Sequence, residues 1–182
     1  VESYDGNNFP DGIVIASDLT INGNGKTISG NDLNRIFKVA EGVTLTLNNV
    51  TICDCVASDG AAVYVESGAK LVANDAKFKD NVADDNGGAI YTDGGQITLT
   101  NCVLDNNDVA EISTNDNSGG AAIYAKNALI TLTNTNVTNN GKKDLDRSNG
   151  DLVNAVINLL YSNATITGGL FENNTGIYGG AI

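Results

Sequence analysis

The chain has 182 residues, of which 41% are apolar and 5% aromatic, with one proline, no histidine and a formal charge of −12. That length suits one domain with a sizeable core or one long repeat array, and the apolar content excludes a disordered tail. The acidity disfavours nucleic acid and anionic membrane surfaces as partners, and no apolar run approaches a membrane span, so direct membrane insertion of this segment is not expected. Without histidine, serine–histidine and cysteine–histidine catalysis are excluded, along with the commonest transition-metal ligand. No cofactor is expected. Methionine is absent even at position 1, so the chain reads as an excised piece of a longer protein.

Residues 1–17 are expected to form an N-terminal lead-in or cap, and residues 18–182 the coils of a single domain. The repeat is plainest between "GGAIYTDGGQITLTNCVLDNN" from Gly87 and "GAAIYAKNALITLTNTNVTNN" from Gly120, which align without a gap. Three apolar columns extend it: Leu19, Leu45, Leu71, Ile97, Ile130, Ala164; then Ile52, Phe78, Leu104, Val137, Phe171; then Ile36, Val63, Ile90, Ile123, Ile157, Ile182. The first steps in the Leu19 column are 26 residues and the last two are 33 and 34. Within the coils, "VTLTL" from Val43, "QITLT" from Gln96 and "LITLT" from Leu129 alternate apolar residues with threonine, as in short half-buried strands. A coil of about 26 residues at ~3.3 Å each holds three such strands and their bends. The chain is therefore expected to be an all-β parallel β-helix of about six coils, with the seventh barely begun at Ile182. That ending predicts continuation into further coils or an anchor. An antiparallel sandwich would not hold the apolar columns in register.

The longer coils gain their length between Asp108 and Gly119 and between Gly141 and Ala155, so both insertions are expected at one corner of the solenoid. Asn81, Asn107, Asn140 and Asn174 form another column, with Cys55 one coil earlier; stacked amides there are expected to bond to one another and to turn backbone.

"GGAI" at Gly87 and again at Gly179, with "FKDN" at Phe78 and "FENN" at Phe171, resembles the GGA[ILV]/FxxN repeat of chlamydial polymorphic membrane proteins. The same repeat occurs in adhesin-like surface proteins of methanogenic archaea. "DLTINGNGKTISG" from Asp18 resembles the opening coil of pectate-lyase-like β-helices. The chain departs from the pattern at "GAAV" from Gly60 and where Leu104 and Val137 replace the phenylalanine. The resemblance implies a right-handed β-helix of the pectate-lyase-like superfold, extracellular and attached to a cell surface, engaged in adhesion.

Candidate chemistry is sparse. At about 4.8 Å per coil, Cys102 stands about 10 Å from Cys53 and Cys55, beyond disulfide reach, so free thiols are expected, with Cys102 buried and Cys53 the more reactive. Glycoside hydrolysis needs two carboxyls facing across a cleft, whereas Asp84, Asp85, Asp105, Asp108 and Asp116 scatter over turns. Asp144, Asp146 and Asp151 give a weak calcium pattern that lacks the glycine and glutamate of an EF-hand loop. Sequons stand at Asn49, Asn136, Asn163 and Asn173, about as many as chance supplies. Thr44/Thr46, Thr98/Thr100, Thr131/Thr133 and Thr165/Thr167 form outward threonine pairs that strand propensity explains. The most distinctive outward feature is an aromatic column, Phe37, Tyr64, Tyr91 and Tyr124, an apolar strip with hydroxyl edges suited to sugar rings or a protein partner. Taken with what the resemblance implies, the expected function is that of a non-enzymatic, non-catalytic adhesin segment that binds a host-cell or matrix glycan or protein. The alternatives are a polysaccharide lyase or glycoside hydrolase on the same fold, or a purely structural stalk.

Overall fold

The computed structural model describes residues 11–110, 119–141, 155–176 and 180–182. These residues form a parallel β-helix, and all the strand pairs among them are parallel. The first sheet stacks β1 (Ile13–Ile15), β3 (Phe37–Val39), β6 (Val63–Val65), β10 (Ile90–Asp93), β14 (Ile123–Lys126) and β17 (Ile157–Leu160). The second bends around a corner. The long strands β2 (Leu19–Ser29) and β4 (Thr44–Cys53) span that corner, and in later coils it divides strand pairs. These pairs are β7 (Lys70–Asn74) with β8 (Lys77–Lys79), β11 (Gln96–Thr100) with β12 (Val103–Asp105), β15 (Leu129–Thr133) with β16 (Asn136–Thr138), and β18 (Asn163–Thr167) with β19 (Phe171–Glu172). The third sheet holds β5 (Val56–Asp59), β9 (Val82–Asn86) and β13 (Asp108–Val109). Strand β1 falls within the segment expected to be a lead-in, yet it pairs with β3 as any coil strand does.

A coil has to turn sharply several times, and each turn uses a left-handed backbone that most L-residues avoid. Two corners are built almost wholly from residues that tolerate it. One carries Asn49, Asp75, Asn101, Asn134 and Gly168, and the other Asp54, Asp80, Asn106, Asn139 and Asn173, all at positive φ. The paired asparagines of the repeat are thus unequal. The first, as in Asn106–Asn107, makes the turn, and the second points inward. Before the first sheet the same duty falls to Gly60, Gly87 and Gly120. A Cβ on Gly87 would lie 2.2 Å from the Ile90 carbonyl oxygen, so only glycine fits.

Inside the coils the columns lock together. Leu45, Leu71, Ile97 and Ile130 form one fully buried row, and Ile52, Phe78, Leu104 and Val137 another. The third column differs from the sequence expectation at its start. Val63, Ile90, Ile123 and Ile157 pair as expected, but Val63 meets Phe37 rather than Ile36. The step from Val65 to Thr92 is 27 residues because β9 bulges between Ala83 and Asn86. Carrying that step one coil too far back misplaces the column by one residue, which reverses a strand's faces. The threonine pairs shift too: Thr46 aligns through Val72 with Thr98, while Thr44 aligns through Lys70 with Gln96. Asn22, Asn48 and Asn74 precede Thr100, Thr133 and Thr167 in the next row.

The inward asparagines form a continuous amide ladder. Asn81 Nδ2 donates to Asn107 Oδ1 at 2.9 Å, Asn107 Nδ2 to Asn140 Oδ1 at 2.9 Å, and Asn140 Nδ2 to Asn174 Oδ1 at 3.1 Å. The backbone N–H of each of these donors bonds to the same oxygen. The second amide proton of Asn107 goes to the Phe78 carbonyl, so both its donors and both its lone pairs are used. Cys55 continues the column, donating its backbone N–H to Asn81 Oδ1 at 3.2 Å. Replacing Asn107 with Ala leaves buried donors of Asn81 and the Phe78 carbonyl unpaired, and should lower the unfolding free energy by about 1–3 kcal/mol in urea titration. Asn107→Asp should cost at least as much, because a carboxylate cannot donate to Asn140 or Phe78. Wild-type stability for both variants would show that the ladder is not a stabilising element.

All three cysteines are free and buried. Burial, the bond to the Asp54 carboxylate and its charge raise the Cys53 thiol to about 11, and burial raises Cys55 to about 12. Cys53 therefore carries little thiolate, the attacking species, at neutral pH, and burial raises the Cys102 thiol as well. Both folded-state values lie above the ordinary cysteine range near 8.5. Their contribution to stability is present below that range and is lost as pH rises through about 11 to 12. Unfolding midpoints should fall over that window, and less steeply in Cys53→Ala. Thiol labelling of the folded protein at pH 7.5 should be slow at every cysteine.

Candidate functional site

The first sheet places Tyr64, Tyr91 and Tyr124 side by side on its outer face, each beside an inward Val63, Ile90 or Ile123. Pleat alternation dictates this, since successive side chains take opposite faces. The Tyr64 and Tyr91 ring centroids are 4.8 Å apart, and those of Tyr91 and Tyr124 are 5.3 Å apart at an interplanar angle of 4°. Phe37 does not belong to this strip. It is 3% exposed in the inward column, and Lys38 stands in register with Tyr64 instead. Asn158 follows Tyr124 at the other end.

Strand spacing sets the ring separation, and it has a chemical consequence. Rings stacked along the solenoid axis present their faces to one another, so edges and hydroxyls are what they offer outward. Tyr64 and Tyr91 are half-buried, and Tyr124 is only 5% exposed. The expected open platform for sugar rings is therefore a row of hydroxyl-bearing edges. Burial first, then the neighbouring Tyr64, push the Tyr91 phenol well above its usual range, and burial does the same at Tyr124; both remain protonated donors at physiological pH.

Cations cap the stack. The Arg35 guanidinium carbon lies 5.1 Å from the Tyr64 centroid, and Lys38 Nζ lies 5.7 Å from it. Arg35 is buried, with its N–H groups donated to the carbonyls of Asp11, Asp59 and Gly60, and desolvation lowers its pKa. Lys38 Nζ pairs with Glu66 at 3.3 Å. Two coils on, Lys126 Nζ pairs with Asp93 at 2.9 Å, and this bond holds the Asp93 carboxyl below its usual range. Glu41, Tyr64, Glu66, Ser67 and Asp93 together line a depression of about 480 Å³ beside the tyrosines. These charged neighbours have a sequence signal that the aromatic column obscured. Tyr64, Tyr91 and Tyr124 are each followed two residues later by Glu66, Asp93 or Lys126, on the same outer face.

Several turn acids are occupied as acceptors across coils. Asp105 takes bonds from Thr138 and Asn139, Asp80 from Asn106, and Asp75 from Asn101, while the Lys79–Asp80 ion pair is made within one coil. Among the described residues, no group of three or more metal-ligating side chains converges. Asp116 and the weak calcium candidates Asp144, Asp146 and Asp151 lie outside the described residues, as do most residues of both insertions.

The geometry defines a parallel β-helix whose outer tyrosine column on the first sheet is bordered by an acidic depression at the turns that follow its strands. Residues 75–93, which contain both Phe78–Asn81 and Gly87–Ile90, match the family model described as the Chlamydia polymorphic membrane protein repeat. No curated protein and no solved structure matches the chain significantly. The match covers this one stretch of the chain, and such a repeat suggests a surface or adhesin-type protein.

The stacking geometry separates two roles of Tyr91. Tyr91→Ala removes both ring contacts, each worth about 0.5–1.5 kcal/mol beyond area burial, and should destabilise by about 1–3 kcal/mol. Tyr91→Phe keeps the stack and should unfold within about 0.5 kcal/mol of wild type in the same titration. Equal loss in both variants would show that the hydroxyl, not the ring stack, holds the column.

Proposed function

We propose that this chain is a non-catalytic binding segment of a surface adhesin, with the tyrosine column and its flanking depression as the contact for a host-cell or matrix glycan or protein. One observation carries this reading: the edges of the half-buried Tyr64 and Tyr91 stand side by side on the outer face of the first sheet, and the carboxylates of Glu41, Glu66 and Asp93 line a depression that includes Tyr64. Because the ring faces are occupied by one another, recognition runs through hydroxyl hydrogen bonds and charge. The repeat match at residues 75–93 supports the surface setting. The cross-coil bonds made by Asp75, Asp80 and Asp105 support a structural role for turn acids over a catalytic one.

The test uses the purified segment on beads, offered to epithelial cells, matrix-coated wells and a glycan array. Wild-type protein should bind at least one of these surfaces without releasing reducing or unsaturated sugars from uronic-acid polymers. The triple variant Tyr64→Phe, Tyr91→Phe, Tyr124→Phe should bind about tenfold or more weakly while keeping its unfolding midpoint. Full binding by that variant rules out the hydroxyl column, and sugar release by wild type rules out the non-catalytic reading.

A further inference from the structure

The fold sorts the glycosylation sequons by what their asparagines already do. Asn136 is engaged: its Oδ1 accepts the Leu170 N–H at 3.0 Å, and its sequon hydroxyl, Thr138 Oγ1, donates to Asp105 at 2.8 Å. Asn49 is different. It makes the left-handed turn within β4 at φ 47, is exposed, and no described group bonds its side chain. In the same corner column, Asn101 Nδ2 reaches Asp75 at 3.3 Å and Asn134 Nδ2 reaches Asn101 at 3.5 Å, so Asn49 stands apart from its column mates. Downstream, Val50 is buried and anchors the strand, while the hydroxyl-bearing Thr51 stands on the outer face. A convex corner with a free carboxamide and a threonine two residues later meets the acceptor requirement without disturbing the core.

We propose that Asn49 is an acceptor for N-linked glycan, taken from a lipid-pyrophosphate-linked oligosaccharide. Asn49 Nδ2 forms the new bond to the anomeric carbon, the sugar–phosphate C–O bond breaks, the lipid pyrophosphate leaves with the electron pair, and the amide loses one proton. In the cell this rests on the surface reading, because the chain must reach a compartment that holds the transferase. The site is on a different sheet from the tyrosine column.

The deciding experiment incubates the folded, purified 182-residue protein with a single-subunit oligosaccharyltransferase and its lipid-linked donor, followed by glycopeptide mapping. Asn49 should be occupied and Asn136 bare in folded protein, with Asn136 becoming modified when the same sample is unfolded. Asn49→Gln should lose that glycopeptide and keep its unfolding midpoint. Asn49 left bare while a control acceptor peptide is modified in the same tube overturns the proposal, as does equal occupancy of Asn136 in folded protein. Native protein that carries no glycan, alongside efficient transfer to Asn49 in the tube, supports the acceptor site and counts against the surface location.

Discussion

Everything in this molecule depends on each coil closing to the same perimeter shape as the one before it. A parallel ladder gives every strand its hydrogen bonds only from neighbouring coils, so one coil that turned at a different place would unpair the next. The left-handed corner residues and the buried amide ladder enforce that closure together. Asn106, Asn139 and Asn173 set where the chain bends, and Asn107, Asn140 and Asn174 tie each bend to the next through bonds spanning 33 and 34 residues. Longer coils are tolerated because their extra residues enter after this tie, between Asn107 and Ala121 or between Asn140 and Ala155, and leave the ladder positions untouched.

The same regularity creates the candidate site. Equivalent positions on successive coils lie one strand spacing apart, so a residue type repeated in a column becomes a contiguous stack. Three tyrosines so placed make a ring stack. The residues two positions on, Glu66, Asp93 and Lys126, make a charged column beside it, bridged to Lys38 at one end and between Asp93 and Lys126 at the other. A solenoid of this kind builds a surface by repetition, with no loop needed to bring remote residues together. That economy suits display and recognition. Catalysis more often needs unlike groups to converge, and here the turn acids at Asp75, Asp80 and Asp105 serve their neighbouring coils.

The sequence by itself determined the fold class, because alternating apolar residues in columns at a fixed period have one economical burial, a stack of parallel coils. It also determined the inward asparagine column and the phase of Tyr64, Tyr91 and Tyr124, since strand alternation leaves no choice once Val63, Ile90 and Ile123 point inward. Tertiary structure alone decided what the alternation could not carry across a bulge. The extra residue in β9 made the coil between Val65 and Thr92 one residue longer, and only the pairing partners showed that Phe37, not Ile36, stands in the column of Val63 and Ile90. It also decided that the tyrosine faces are spent on one another, that Lys38 and Arg35 cap them, and that Asn136 is bonded while the Asn49 side chain has no partner among the described residues. Periodicity is a property of one coil and can be read along the chain. Partner, exposure and cap are properties of two coils in contact, and they exist only once the coils are stacked.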